Sequence, residues 1–152
     1  MSTATYVTMT GSKLTFADSA ADLDTAGTDA TCQIIAATVE GVAKSSTIPA
    51  TFCDPESDIA QASGRQLVLR FLQDWTNPDG VCRYLDGADG TTVYFRLDLP
   101  PGAAKTTRAE GRCSAVAPAF GGETGQAVEA TITLPVLPGL TIADVDNPTA
   151  AP

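Results

Sequence analysis

Apolar and polar positions alternate along several stretches of this chain, and the clearest begins at Gln66. Leu67, Leu69, Phe71 and Trp75 point one way, while Gln66, Arg70 and Asp74 point the other. That period of two is the mark of a strand with one buried face. Thr91–Leu99 alternates as cleanly, with Val93, Phe95, Leu97 and Leu99 inward and Thr92, Tyr94, Arg96 and Asp98 outward. In Gln126–Leu134, Val128, Ala130, Ile132 and Leu134 face in, opposite Ala127, Glu129, Thr131 and Thr133. Glu110–Phe120 is a further strand, joined to the last by a Gly-rich hairpin connection. Thr31–Ala43 is apolar on both faces, which predicts burial on both sides, within the domain or at a subunit contact. Thr5–Phe16 reads as a hairpin or one bent strand around Gly11-Ser12.

Between these strands the period changes once. Val81, Tyr84 and Leu85 share a helical face by the i, i+3, i+4 rule, which predicts a short helix over about 78–86. Asn77 is placed to cap it, Pro78 suits its first position, and Gly87 is placed to end it. So short a helix must lie against a sheet, which makes Trp75, Val81, Tyr84 and Leu85 the expected helix-to-sheet packing residues. Asp18–Ala30 and Ala103–Ala109 read as surface loops, and Asp89-Gly90 as a tight turn. Residues 44–64 form a long loop arm carrying Ile48, Phe52 and Ile59, with a disordered insertion as the alternative. Residues 140–152 form an extended or flexible C-terminal tail that starts with Leu140 and Ile142. The resulting fold class is mostly β. It is an antiparallel β-sandwich or barrel-like domain over residues 1–139, with one flanking helix.

The chain has 152 residues, enough for one domain with a core. Ten prolines, thirteen glycines and abundant threonine and valine agree with a β fold. The net charge of −9 argues against binding DNA through its phosphates and is compatible with a surface that DNA slides past. With no histidine in the sequence, a Ser/His/Asp or Cys/His arrangement is excluded, along with the commonest transition-metal ligand. The spacing of Cys32, Cys53, Cys82 and Cys113 resembles no zinc motif. Cys32, Cys82 and Cys113 fall in strand or helix patterns and are expected in the core, while Cys53 in the arm is the candidate reactive thiol. Asp54, Glu56 and Asp58 alternate like a calcium loop but lack its glycine and its terminal glutamate, so they read as a solvated loop. Neither a catalytic site nor a cofactor is expected. The N-terminus has no basic or apolar region, and no run approaches the length of a membrane span.

The run Gln73-Asp74-Trp75, followed by Pro78, Gly80, Tyr84 and Leu85, resembles a motif of the tail tube proteins of long, non-contractile-tailed bacteriophages. The N-terminal strand pair, the arm with Pro49-Ala50-Thr51-Phe52 and the late hairpin at Gly121-Gly122 stand in the same order as in that family. The likeness covers most of the chain and stops at Gly139. It implies a β-sandwich that closes into rings, expected to be hexameric, which stack into a tube for DNA ejection. The expected partners are other copies of the chain, the tape-measure protein, and the tail terminator and distal tail proteins. Double-stranded DNA would pass without specific binding. No membrane insertion is expected, and the location would be the virion tail, after assembly in the host cytoplasm. Ile48, Phe52, Ile59, Leu140 and Ile142 become candidates for ring-to-ring contact. Asp98 and Glu129 become candidates for an acidic lumen, with an outer solvated face as the alternative. The competing reading is a β-sandwich binding or decoration module of a phage particle, or an adhesion domain.

Overall fold

The structure, a computed structural model, describes residues 11–100, 105–122, 124–125 and 128–146, with backbone alone at 44–45 and 59–63. The fold is mostly β and antiparallel, with one short helix on its flank. Strand β1 spans Lys13–Ala17 and is followed by a single helical turn, α1, at Asp22–Thr25. The two-residue β2, Thr28–Asp29, pairs back on β1, and a 3-10 turn at Thr31–Gln33 leads into β3, Ile34–Ile48. Then come β4 (Ser57–Leu72), the helix α2 (Val81–Ala88), β5 (Thr92–Asp98) and β6 (Lys105–Ser114). Strands β7 (Glu129–Val136) and β8 (Thr141–Asp146) complete the described chain.

Pairing runs β2-β1-β5-β6-β7-β4-β3, with β8 also on β6. The path has a narrow waist. Strands β6 and β7 meet at one residue pair, Cys113 with Val136, and the chain then crosses so that β8 pairs with the first half of β6. One half of the sheet is therefore β2-β1-β5-β6-β8 and the other is β7-β4-β3. A strand that changes partners at a corner is how sandwich-like folds are closed. The inward residues of both halves meet in one core: Leu14, Phe16, Val93, Phe95 and Cys113 from the first, and Leu67, Leu69, Phe71, Ile132 and Leu134 from the second. From α2, Val81, Cys82 and Leu85 complete it, all fully buried. Tyr84 stacks on Phe16 with ring centroids 6.0 Å apart, and its hydroxyl donates to Asp18 at 2.9 Å.

Several expectations are corrected. The arm is a β-hairpin rather than a loop. Strands β3 and β4 stay paired from Ile34–Phe71 to Ile48–Ser57, and the backbone pairing reaches Thr47–Asp58 and Ile48–Ser57, where all four side chains are exposed. Strand β3 is not buried on both faces in this chain: Ala37 is buried, whereas Ile35 and Val42 are 40% and 39% exposed. The segment 18–30 is not a plain loop, since α1 buries Leu23, β2 pairs with β1, and Ala30 is buried in the core. Strand β6 begins at Lys105 and ends at Ser114, so 105–109 is strand and 115–120 is not. Its early residues look loop-like because Lys105, Thr106, Thr107 and Arg108 are polar, Arg108 being paired with Asp98. Helix α2 starts three residues later than expected. Asn77 uses its Oδ1 to accept the Asp79 N–H at 3.0 Å, turning the chain before the helix instead of capping it. Gly87 lies within the helix, and the left-handed residue is Gly90, at φ 78° in the turn into β5. The segment after Leu140 is extended, but as strand β8 of the sheet. The expected strand residues 5–10 and 126–127, the stop at 101–102, residues 103–104 and the tail at 147–152 lie outside the described residues.

Candidate assembly surfaces

The arm leaves the sheet body at a register shift between Val42 and Lys44. Beyond it, no described residue of either strand belongs to the core. Ile48 is 44% exposed and Phe52 is fully exposed. The tip is nonetheless ordered by its own short-range bonds. Thr51 donates its backbone N–H to the Asp54 carbonyl at 2.8 Å, and its Oγ1 accepts the N–H groups of Cys53 and Asp54 at 3.3 and 3.1 Å. Thr47 donates to Asp58 Oδ1 at 3.0 Å across the strands. Such hydroxyl-to-backbone bonds fix a turn that apolar packing does not support. The side chain of Ile59 lies outside the described residues, although its backbone pairs with Ser46.

The Gln-Asp-Trp run has a structural task. Gln73 uses its whole amide. Its Nε2 donates to the carbonyls of Gly121 and Glu129, and its Oε1 accepts from Gly121 N–H and Trp75 Nε1, all at 3.1 Å. It thereby fastens the connection after β6 to the end of β4. Trp75 packs on the core edge-on to Phe120, with centroids 5.2 Å apart, and its carbonyl accepts Arg83 Nε at 2.8 Å. Asp74 accepts the Oγ1 and N–H of Thr76 at 2.7 and 3.1 Å, and those bonds hold its carboxyl below the usual range. The start of α2 is capped from outside by Gln33, whose Oε1 accepts the Val81 N–H at 2.9 Å. Nothing in the pattern around Gln33 marks it as a cap, because the cap belongs to another element.

Of the C-terminal candidates, Leu140 packs against the core and lies so close to Gly111 that a β-carbon there would stand 3.3 Å from the Leu140 Cα. Ile142 is 56% exposed. Asp98 and Glu129 both lie outside the core cluster, Asp98 on β5 and Glu129 on β7, in different halves of the sheet. Each is already paired: Asp98 with Arg108 at 2.7 Å, and Glu129 with Arg70 at 3.2 Å. On the Asp98 face, Arg96 bridges Asp24 at 2.6 Å and Glu110 at 2.8 Å, and its hydrogen bond lowers the pKa of Asp24. Cys82 and Cys113 are buried, and burial raises both thiols, Cys113 to about 12. Cys32 is exposed, as is Cys53. The 3-10 turn at Thr31–Gln33, which the strand reading of Thr31–Ala43 missed, turns Cys32 out of the core. Among the described residues no three acidic or cysteine side chains stand close enough to share a metal ion, and no helix is long and apolar enough to cross a membrane.

The chain matches no protein-family model and no curated protein.

Proposed function

We propose that this chain is a tail-tube subunit of a long, non-contractile bacteriophage tail, a structural protein that joins copies of itself into stacked rings around a DNA passage. The observation that carries this reading is the β3–β4 arm. It is an ordered hairpin that holds Ile48 and Phe52 out in solvent, beyond the core of its own domain. Ordering these residues costs conformational entropy that no core burial among the arm's described residues offsets, so the apolar tip is best accounted for by a surface outside the chain. Strand β3 adds a second feature of the same kind, since its other edge is unpaired among the described residues and it exposes Ile35 and Val42. Edges left open in a monomer become joints in a ring, and a contact between unlike surfaces repeats from copy to copy. A net charge of −9 suits a passage that DNA must cross without adhering.

Negative-stain electron microscopy of the full chain at rising concentration tests the reading. Rings with a central hole, or hollow tubes, are the expected result. A single small particle of fixed size at every concentration would favour the decoration-module reading instead.

A further inference from the structure

A cavity elsewhere on this chain is comparable in size to the side chain that the arm tip exposes. Between the start of β1 and the start of β3 lies a cavity of about 210 Å³, walled by Leu14, Ile34, Ile35, Ala37 and Leu97, with Lys13 on its rim. Ile35 reaches this wall because it is the extra residue of a bulge: Ile34 pairs with Phe71 and Ala36 with Arg70. The space is large enough for one phenyl group, since ~150 Å³ already accepts a benzene ring, and it is open to solvent with Ser12, Lys13 and Thr31 also in its lining. The fully exposed phenyl group is Phe52, held outward by the Thr51–Asp54 turn. Charge agrees with shape. The tip bears Asp54 and Glu56, both exposed, and Lys13 enters no ion pair found among the described residues. Asp98, opposite Lys13 in the register, is bonded by Arg108 through both its oxygens.

We infer that Phe52 of one copy inserts into the Leu14–Ile34–Ile35–Leu97 cavity of a second copy, with Asp54 and Glu56 set against Lys13. This inference rests on the reading that the chain assembles with itself, and it names the surfaces that meet. The partner must be another copy. The cavity lies at the start of β3 and the tip lies beyond its end. At about 3.3 Å per residue, roughly 35 Å of paired strand separates Ala37 from Ile48. A knob and a hole at opposite ends of one strand make a head-to-tail contact, which repeats from copy to copy and whose rotation decides whether it closes.

The two exposed thiols report the contact. Cys53 follows Phe52, and Cys32 stands in the turn between Thr31 and Ile34, two residues of the cavity wall. Full-length Cys32→Ser protein, which keeps Cys53, is mixed with full-length Cys53→Ser protein, which keeps Cys32, and treated with a short bismaleimide. The expected result is a mixed Cys53–Cys32 product that outweighs either same-site product. Phe52→Ala should slow its formation about tenfold or more, the loss expected when a buried phenyl contact is removed. Lys13→Glu should slow it as well, and adding Asp54→Lys to the other partner should restore it. The cross-linker captures transient encounters, so the contact is read whether or not rings persist. Rings in the microscope without the mixed product would keep the assembly reading and overturn this contact. A mixed product that forms equally fast with Phe52→Ala would overturn it too.

Discussion

Gln33 illustrates how much of this fold depends on single polar side chains placed by distant elements. Its Oε1 supplies the only side-chain acceptor found for the N-terminal donors of α2 among the described residues. Gln33→Ala should therefore cost about 1 kcal/mol, the usual loss for a helix cap. Asn77→Ala should cost less, because Asn77 serves a turn outside the helix. Urea unfolding of the two variants checks the order. The thiols allow a second test at this scale. Cys32 and Cys53 should react at once with a thiol reagent, and Cys82 and Cys113 only as the protein unfolds. Burial pushes Cys113 from its ordinary 9.0 up to about 12, and burial with the Asp18 hydrogen bond also raises Tyr84. A raised acid binds its proton more tightly in the folded state. Its contribution to stability is thus complete below the unfolded value and is lost as pH climbs towards the folded one. The urea midpoint should fall between about pH 9 and pH 12, and Cys113→Ala should flatten that slope even if it lowers the midpoint at neutral pH.

At the scale of elements, the arm and the body should separate cleanly. Replacing Ile48–Ser57 by Asn-Gly joins Thr47 and Asp58, which already face each other in the register. No core residue is touched, so stability should stay within about 0.5 kcal/mol, as for other surface changes. Self-association should be lost. Calorimetry on the shortened chain, beside sedimentation, measures both. The arm also marks the limit of what was legible in the sequence. Strands β5 and β7 are plain because one face of each is buried, and burial writes the period of two into Val93-Phe95-Leu97 and Ala130-Ile132-Leu134. Where the arm side chains are described, successive residues such as Thr47 and Ile48, or Ser57 and Asp58, are all exposed, so the small polar residues there carry no period and look like a loop. Strand β8 is missed for the same reason, with five of its six residues exposed. The position of α2 was obscured differently: Asn77-Pro78 is a helix-start signature that here serves the turn before it. Of the candidate site, Phe52 and Ile48 stand out as apolar residues among polar ones. The cavity does not, because its wall is assembled from β1, β3 and β5, and one wall residue arrives through a bulge.

For the whole molecule, charge sets two effects against each other. The docking of Asp54 and Glu56 beside Lys13 is attractive and weakens as salt is added. Each exposed pair of that kind contributes about 0–1 kcal/mol. Against it stands the repulsion between copies that each carry −9. The ion pairs found among the described residues tie Arg70, Arg96 and Arg108 to four carboxylates, yet they leave that net charge unchanged. At low ionic strength the repulsion reaches across a neighbouring copy, since the screening length is about 30 Å at 0.01 M and about 8 Å at 0.15 M. The local pair acts once per contact, whereas the repulsion acts between every charge within that length. Repulsion should therefore win at low salt. Raising sodium chloride from about 10 to about 150 mM should increase association at fixed protein concentration, as read by sedimentation velocity. Lys13→Glu, which adds to the negative charge and removes the pair, should associate less than the parent at both salts. Association of the parent that falls steadily with salt would mean that attraction between patterned charges, rather than apolar docking against a repulsive background, holds the copies together.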